Sequence, residues 1–282
     1  MDRTQKRKAF GQHFLRDTDV CEKIVTSFLK EIETSDCDSI LEIGPGKGAL
    51  TLLLLEKLKQ SDFFSGKIKK VILIEKDFAL IDMWRDFLST QTYGERVAII
   101  GNDFLKLNSS DWVISNHFGV LSNLPYSVGT AITLELLEKK ENIRVMSLMF
   151  QAEVARRFRA TNKDSEWGSL SIWTQNNWDV QRLISVSPKA FSPPPKVDSE
   201  VAIFKPRKSQ RVPTPDVKLW NSLLKTAFSH RRKMLRSGLP KTGNWKTALK
   251  TAGIEETLRP EQLDWSDWFS FYNALLELHH EK

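Results

Sequence analysis

Five short apolar runs recur between residues 39 and 150, and helix-compatible stretches separate them. Few folds accept that alternation. Strands returned in the same direction need a crossover, so strand and helix in turn imply a parallel α/β sheet covered by helices. The runs place strands at Ser39–Ile43, 71–75, Val97–Gly101, 117–121 and 145–150. Helices are expected at 49–59, Phe78–Ser89 and 130–139. Later, Trp178–Val186 and 200–204 read as a strand pair joined by the loop 187–199, whose Pro188, Pro193, Pro194 and Pro195 make it extended and stiff. The stretch 205–215, with Pro206, Pro213 and Pro215, reads as a linker, and the remainder has helical periodicity without a strand-like run. The expected division is a domain over 1–208, including a basic N-terminal arm, and a small helical domain over 209–282. Trp220, Trp265 and Trp268 fall at helix-like spacing among apolar residues and are expected in the core of the helical part.

Composition narrows the class. The 282 residues suffice for one large domain or two, with 40% hydrophobic and 27% charged residues and no low-complexity tract. No apolar stretch approaches the ~20 residues of a membrane span. Residues 1–9 are charged and lack the apolar core of a secretory signal, so the expected compartment is the cytoplasm. The net charge of +7 favours a polyanionic partner. Arg3, Lys6, Arg7 and Lys8 form one basic cluster; His230, Arg231, Arg232, Lys233 and Arg236 form another. A single basic run is usually a solvated face; two of them beside a base-holding motif point to nucleic acid. Cys21 and Cys37 lack paired histidines for a zinc site and read as free thiols.

Chemistry-bearing residues fall at the strand ends. Leu41-Glu42-Ile43-Gly44-Pro45-Gly46-Lys47-Gly48 follows the first strand and opens a helix, where glycines permit a tight turn and close approach of a ligand. Dinucleotide binders use similar loops, but Pro45 departs from the G-x-G-x-x-G phosphate fingerprint, and Glu42 can pair with a cationic group such as the amine of S-adenosylmethionine. Glu75 ends the second strand, where an acid can accept both ribose hydroxyls; a salt-bridged strand end is the plain alternative. Asp103, ending the third, can accept from an adenine amino group, with Phe104 packed on the ring. Asn123-Leu124-Pro125-Tyr126 follows the fourth. An exocyclic amine such as adenine N6 shares its lone pair with the ring and attacks poorly. Acceptance of its two N–H bonds by the Asn123 side chain and the Leu124 carbonyl favours an electron-rich nitrogen. Pro125 turns that carbonyl into a pocket, and Tyr126 can stack on a planar base.

The ordered set resembles the KsgA (RsmA) family of small-subunit ribosomal RNA adenine dimethyltransferases, over nearly the whole chain from Lys8 to about Leu276. Ala9-Phe10-Gly11-Gln12-His13-Phe14-Leu15 is similar to that family's donor-contacting N-terminal signature, with His13 where Asn is usual. Met149-Phe150-Gln151-Ala152-Glu153-Val154-Ala155, Phe191-Ser192-Pro193-Pro194-Pro195-Lys196-Val197-Asp198-Ser199 and Ala227-Phe228-Ser229-His230-Arg231-Arg232-Lys233 match further segments. The resemblance implies a Rossmann-like class I S-adenosylmethionine-dependent methyltransferase sheet with a small C-terminal helical domain. It implies transfer of methyl groups from S-adenosylmethionine to N6 of two adjacent adenosines near the 3′ end of 16S rRNA, giving dimethyladenosines, with a role in small-subunit biogenesis. It assigns catalysis to Asn123, Leu124, Pro125, Tyr126 and Phe191, with Tyr126 and Phe191 flanking the flipped base. Donor contacts fall to His13, Leu15, Glu42, Gly44, Gly46, Glu75, Asp103, Phe104 and Asn123. RNA contacts fall to Arg7, Lys8, Arg231, Arg232 and Lys233. In-line displacement needs no metal and no covalent intermediate. The expected partner is the small ribosomal subunit, bound by a monomer without a membrane.

Two rivals stand beside this reading. Erm-type dimethyltransferases share the donor and target motifs but modify large-subunit RNA; the 191–199 segment and the long C-terminal region resemble KsgA more closely. A non-catalytic assembly factor would use the same basic clusters, yet it has no chemical reason to keep Asn123–Tyr126 and a donor site.

Overall fold

The structure is a computed structural model that describes residues 13–280, apart from 62–65 and 114. Its centre is a seven-stranded sheet in the order β4-β3-β2-β5-β6-β9-β7. The strands are β2 (Ser39–Ile43), β3 (Lys70–Glu75), β4 (Val97–Gly101), β5 (Phe118–Asn123), β6 (Ile143–Gln151), β7 (Trp178–Val186) and β9 (Ser199–Pro206). From β4 through β6 the pairs are parallel, and β9 runs antiparallel to β6. Every residue of β2 is buried, as expected of a strand covered on both faces. Two further strands, β1 (Phe14–Leu15) and β8 (Phe191–Ser192), pair antiparallel, matching Phe14 with Ser192 and Leu15 with Phe191.

Chain order doubles back at β2, with β3 on one side and β5 on the other, so the carboxyl ends of these strands border a crevice at a switch point. The helix Thr18–Thr34, which the sequence reading did not anticipate, is capped by Asp17 and buries Ile24, Val25, Phe28, Leu29 and Ile32. Gly119 in β5 lets it approach: a Cβ there would lie 2.4 Å from Ile32 and 2.9 Å from Phe28. The helix Phe78–Ser89 begins at an Asp77 cap and buries Ile81 and Trp84.

The chain divides into two compact units, and the division differs from a cut at 208. One unit comprises the chain to Ala155 together with Val180–Pro206; the other comprises Arg156–Asp179 together with Arg207–Lys282. Within the second unit, Ala160, Trp167 and Ile172 share a core with Trp220, Leu223, Trp268 and Phe271. Asn176 is fully buried there, donating to the Val212 carbonyl at 3.0 Å and accepting the Val212 N–H at 2.7 Å. The stretch 205–215 is therefore not a linker: Val212 is 0% exposed, and Arg207 is paired with Asp179. Trp220 and Trp268 are buried as expected, and Trp265 packs edge-on against Trp167 at 5.8 Å. Cys21 and Cys37 are buried free thiols, and burial pushes Cys21 up to about 11. No helix among the described residues is long and apolar enough to cross a membrane.

Candidate active site

Four strand ends meet at one cavity in the sheet unit, lined by residues 42–47, 74–76, 102–104 and 123–126, with His13, Phe14 and Leu15 along one side. Its donor half is set by backbone. Gly44, Gly46 and Gly48 take φ of +68°, +56° and +89°, a region costly for side chains. A Cβ on Gly48 would lie 2.9 Å from the Trp84 ring, and one on Gly46 3.3 Å from Phe14. The loop is tied by Gly44 N–H to the Ile74 carbonyl (2.8 Å) and by Trp84 Nε1–H to the Gly46 carbonyl (2.9 Å). Glu75 accepts three backbone N–H groups, from Gly46 (3.2 Å), Lys76 (2.9 Å) and Asp77 (3.0 Å), which locks its carboxylate at the cavity wall. Asp103 accepts the Leu105 N–H at 3.2 Å and caps the turn Phe104–Lys106; Phe104 is held against Trp112, centroids 5.0 Å apart.

Glu42 sits in contrasting surroundings. It is 2% exposed and lines the cavity, and its Oε2 has no hydrogen-bond partner. Burial pushes its carboxyl up to about 8; the neighbouring Thr51 hydroxyl pulls the other way, and the Glu75 charge adds to the rise. Thr51 Oγ1 is itself unpartnered, so its help falls short of a full hydrogen bond. An orphaned buried carboxyl oxygen beside a glycine cradle that a Cβ would fill suits a ligand carrying a positive charge. S-adenosylmethionine fits that description.

The acceptor half is held by side chains. Asn123 is the last residue of β5, in register with Met149, so the strand runs two residues past its expected end at 121. Leu124 is buried, and Pro125 accepts the Val128 N–H at 3.1 Å, turning the chain toward the helix Gly129–Leu137. The Tyr126 hydroxyl and the buried Ser199 hydroxyl share a hydrogen bond of 2.5 Å, and burial raises the phenol above its ordinary range. The His13 ring stacks on Tyr126, centroids 5.8 Å apart and planes 30° apart, and its Nδ1 lies 2.8 Å from the Pro193 carbonyl. A ring nitrogen facing a carbonyl carries the proton.

Every expected donor residue, from His13 to Asn123, lies on this cavity, as do Leu124, Pro125 and Tyr126. Phe191 does not. It is 2% exposed within the apolar core, and its backbone pairs with Leu15. The stacking partner that the structure gives Tyr126 is His13. Ser199, Phe14 and Lys47, whose Nζ lies 5.0 Å from the Phe14 ring centroid, were not singled out in the sequence. Ser199 closes the Phe191–Ser199 motif, which was the available signal. In the helical unit Arg232, Lys233 and Arg236 are exposed, whereas Arg231 is committed to Glu261 at 2.7 Å and to the Ser165 carbonyl. Arg7 and Lys8 lie outside the described residues.

The model of the family described as "Ribosomal RNA adenine dimethylase" matches residues 3–277. The chain belongs to that family. A protein of Pseudomonas aeruginosa named "Ribosomal RNA small subunit methyltransferase A" is 36% identical over 273 residues, covering 96% of this chain and 95% of its own. A relative of the same name from Alcanivorax borkumensis is 34% identical, covering 97% and 91%. Among solved structures, a dimethyladenosine transferase from Plasmodium falciparum superimposes with a TM-score of 0.72 at 24% identity, covering 95% of this chain and 98% of that one. The 23S rRNA methyltransferase ErmE gives 0.67 at 22%, covering 93% and 99%. The likeness shows the fold of this chain, a class I methyltransferase sheet with a C-terminal helical region.

Proposed function

We propose that this adenine dimethylase transfers methyl groups from S-adenosylmethionine to N6 of two adjacent adenosines near the 3′ end of 16S rRNA, giving dimethyladenosines during small-subunit biogenesis. The observation that carries the reading is the meeting of the glycine cradle, Glu42, Glu75 and Asp103 with Asn123–Tyr126 in one cavity. The full-length relatives named for the small subunit support that substrate over large-subunit RNA.

S-adenosylmethionine supplies an electrophilic methyl on a cationic sulfur. The chain's own work is to hold the other reactant. The target adenosine must leave its stack, and Tyr126, fixed by Ser199, replaces part of the lost stacking at about 1–3 kcal/mol. The Asn123 side-chain oxygen and the Leu124 carbonyl accept the two N–H bonds of the amine and turn its lone pair toward the methyl. Positioning and aligned acceptors carry the acceleration. The nitrogen becomes acidic once alkylated, so its proton passes to solvent without a strong base. Glu75 and Asp103 hold the ribose and adenine of the donor, Phe104 packs on that adenine, and His13 and Leu15 close the side of the cavity. Arg232, Lys233 and the N-terminal Arg7 and Lys8 meet RNA phosphates, and the protein acts as a cytoplasmic monomer.

Incubation with labelled S-adenosylmethionine and unmethylated small subunits, with large subunits in parallel and nucleoside analysis of both, tests this. Dimethyladenosine is expected in small-subunit RNA alone. Label in the large subunit moves the protein to the Erm-type reading. Tight small-subunit binding with no label leaves an assembly factor without chemistry.

A further inference from the structure

Two buried carboxyls line the donor half of the cavity, and they are served differently. Glu75 receives three backbone N–H groups, whereas Glu42, 2% exposed, has an oxygen with no partner at all. Its flanking strands face it with Leu73 on β3 and Leu121 on β5. The helix Thr51–Gln60 brings the Thr51 hydroxyl, and the nearest charge that acts on it is the like charge of Glu75. The remaining titratable groups on the cavity wall are His13, Lys47, Lys76, Asp103 and Tyr126. Lys47 is turned to the Phe14 ring. An ionised carboxylate in such a place, with a like charge beside it and no donor on one oxygen, is costly.

We propose that Glu42 is kept as a neutral acid until the cationic methyl donor arrives, and that donor capture expels its proton to solvent. The carboxyl O–H bond breaks, the proton passes to buffer, and the remaining carboxylate faces the donor's positive charge; nothing is oxidised or reduced. The inference rests on S-adenosylmethionine being the ligand of this cavity, and it makes Glu42 a charge-reading residue rather than a fixed anionic contact. The burial that lifts its carboxyl to about 8 in the free protein agrees. The sign follows. The free protein holds the extra proton below about pH 8, so donor binding strengthens as pH rises toward that value and levels off above it.

Calorimetric titration of the full chain with S-adenosylmethionine at pH 7, in two buffers of different ionisation enthalpy, counts the protons released. The expected count is about 0.5 to 1 for the wild type, with an association constant that rises by up to about tenfold per pH unit between 6 and 8. Glu42→Gln is expected to release almost none and to bind with a flat pH profile. Donor binding by the wild type without proton release overturns the inference and leaves the proposed function standing, and needs no variant to fold. An unchanged count in Glu42→Gln overturns it equally. A wild-type chain that does not bind the donor overturns the proposed function and this inference with it.

Discussion

On the donor side of the cavity the backbone does the fixing, with glycines at positive φ, an indole holding one loop carbonyl, and three N–H groups gripping Glu75. On the acceptor side, a few ångströms of chain carry the chemistry, and side chains fix it: Ser199 on the Tyr126 hydroxyl and His13 on its face. The difference follows from what each side receives. A donor of constant shape suits a rigid cradle. A base that must be pulled from RNA, and then return for a second methyl, suits contacts that can be remade.

The comparison can be broken at its two ends. The largest effect is expected from Asn123→Ala, which removes one of the two proposed acceptors for the amine and should lower the methyl-transfer rate by about 10²–10³-fold. Single-turnover rates at saturating donor check it. Next, Gly48→Ala places a methyl group against Trp84 at a φ of +89° and should destabilise the fold by about 1–3 kcal/mol, read by urea denaturation. Donor affinity should fall with it, because Trp84 holds the Gly46 carbonyl. Tyr126→Phe keeps the ring and loses the Ser199 bond; a rate loss of about 3–10-fold at unchanged donor affinity is expected. Smallest is Arg232→Ala with Lys233→Ala, which should leave both halves of the cavity intact and weaken small-subunit binding. The slope of log affinity against log salt should fall by about 0.7 for each lost phosphate contact, measured by filter binding. Arg231→Ala should instead lower stability, since its guanidinium joins Glu261 to the Ser165 carbonyl.

Much of the donor half could be read in the sequence because its residues stand next to apolar runs that could only be buried strands. Glu42 lies within β2, Glu75 ends β3, Asp103 follows β4 and Asn123 ends β5, so strand ends and site residues were found together. What escaped depends on partners distant in the chain. Asn176 and Gln175 look like a polar surface, yet both are buried, because the 207–212 stretch and the 158–160 carbonyls satisfy them. That is why 156–179 joins the helical unit and why 205–215 is no linker. The pairing of Phe191 with Leu15 escaped as well, because a two-residue strand pair, β1 with β8, leaves no periodic trace. The pairing of Arg231 with Glu261 escaped too, because Glu261 lies thirty residues away in the chain.

Donor affinity, measured by calorimetry on Asn123→Ala and Glu75→Ala side by side, tests the separation of the two halves most directly. The expected result is affinity within about threefold of wild type for Asn123→Ala and a loss of at least about tenfold for Glu75→Ala, whose carboxylate holds the loop and is proposed to hold the ribose. Equal losses in the two variants, or a greater loss in Asn123→Ala, would contradict the account.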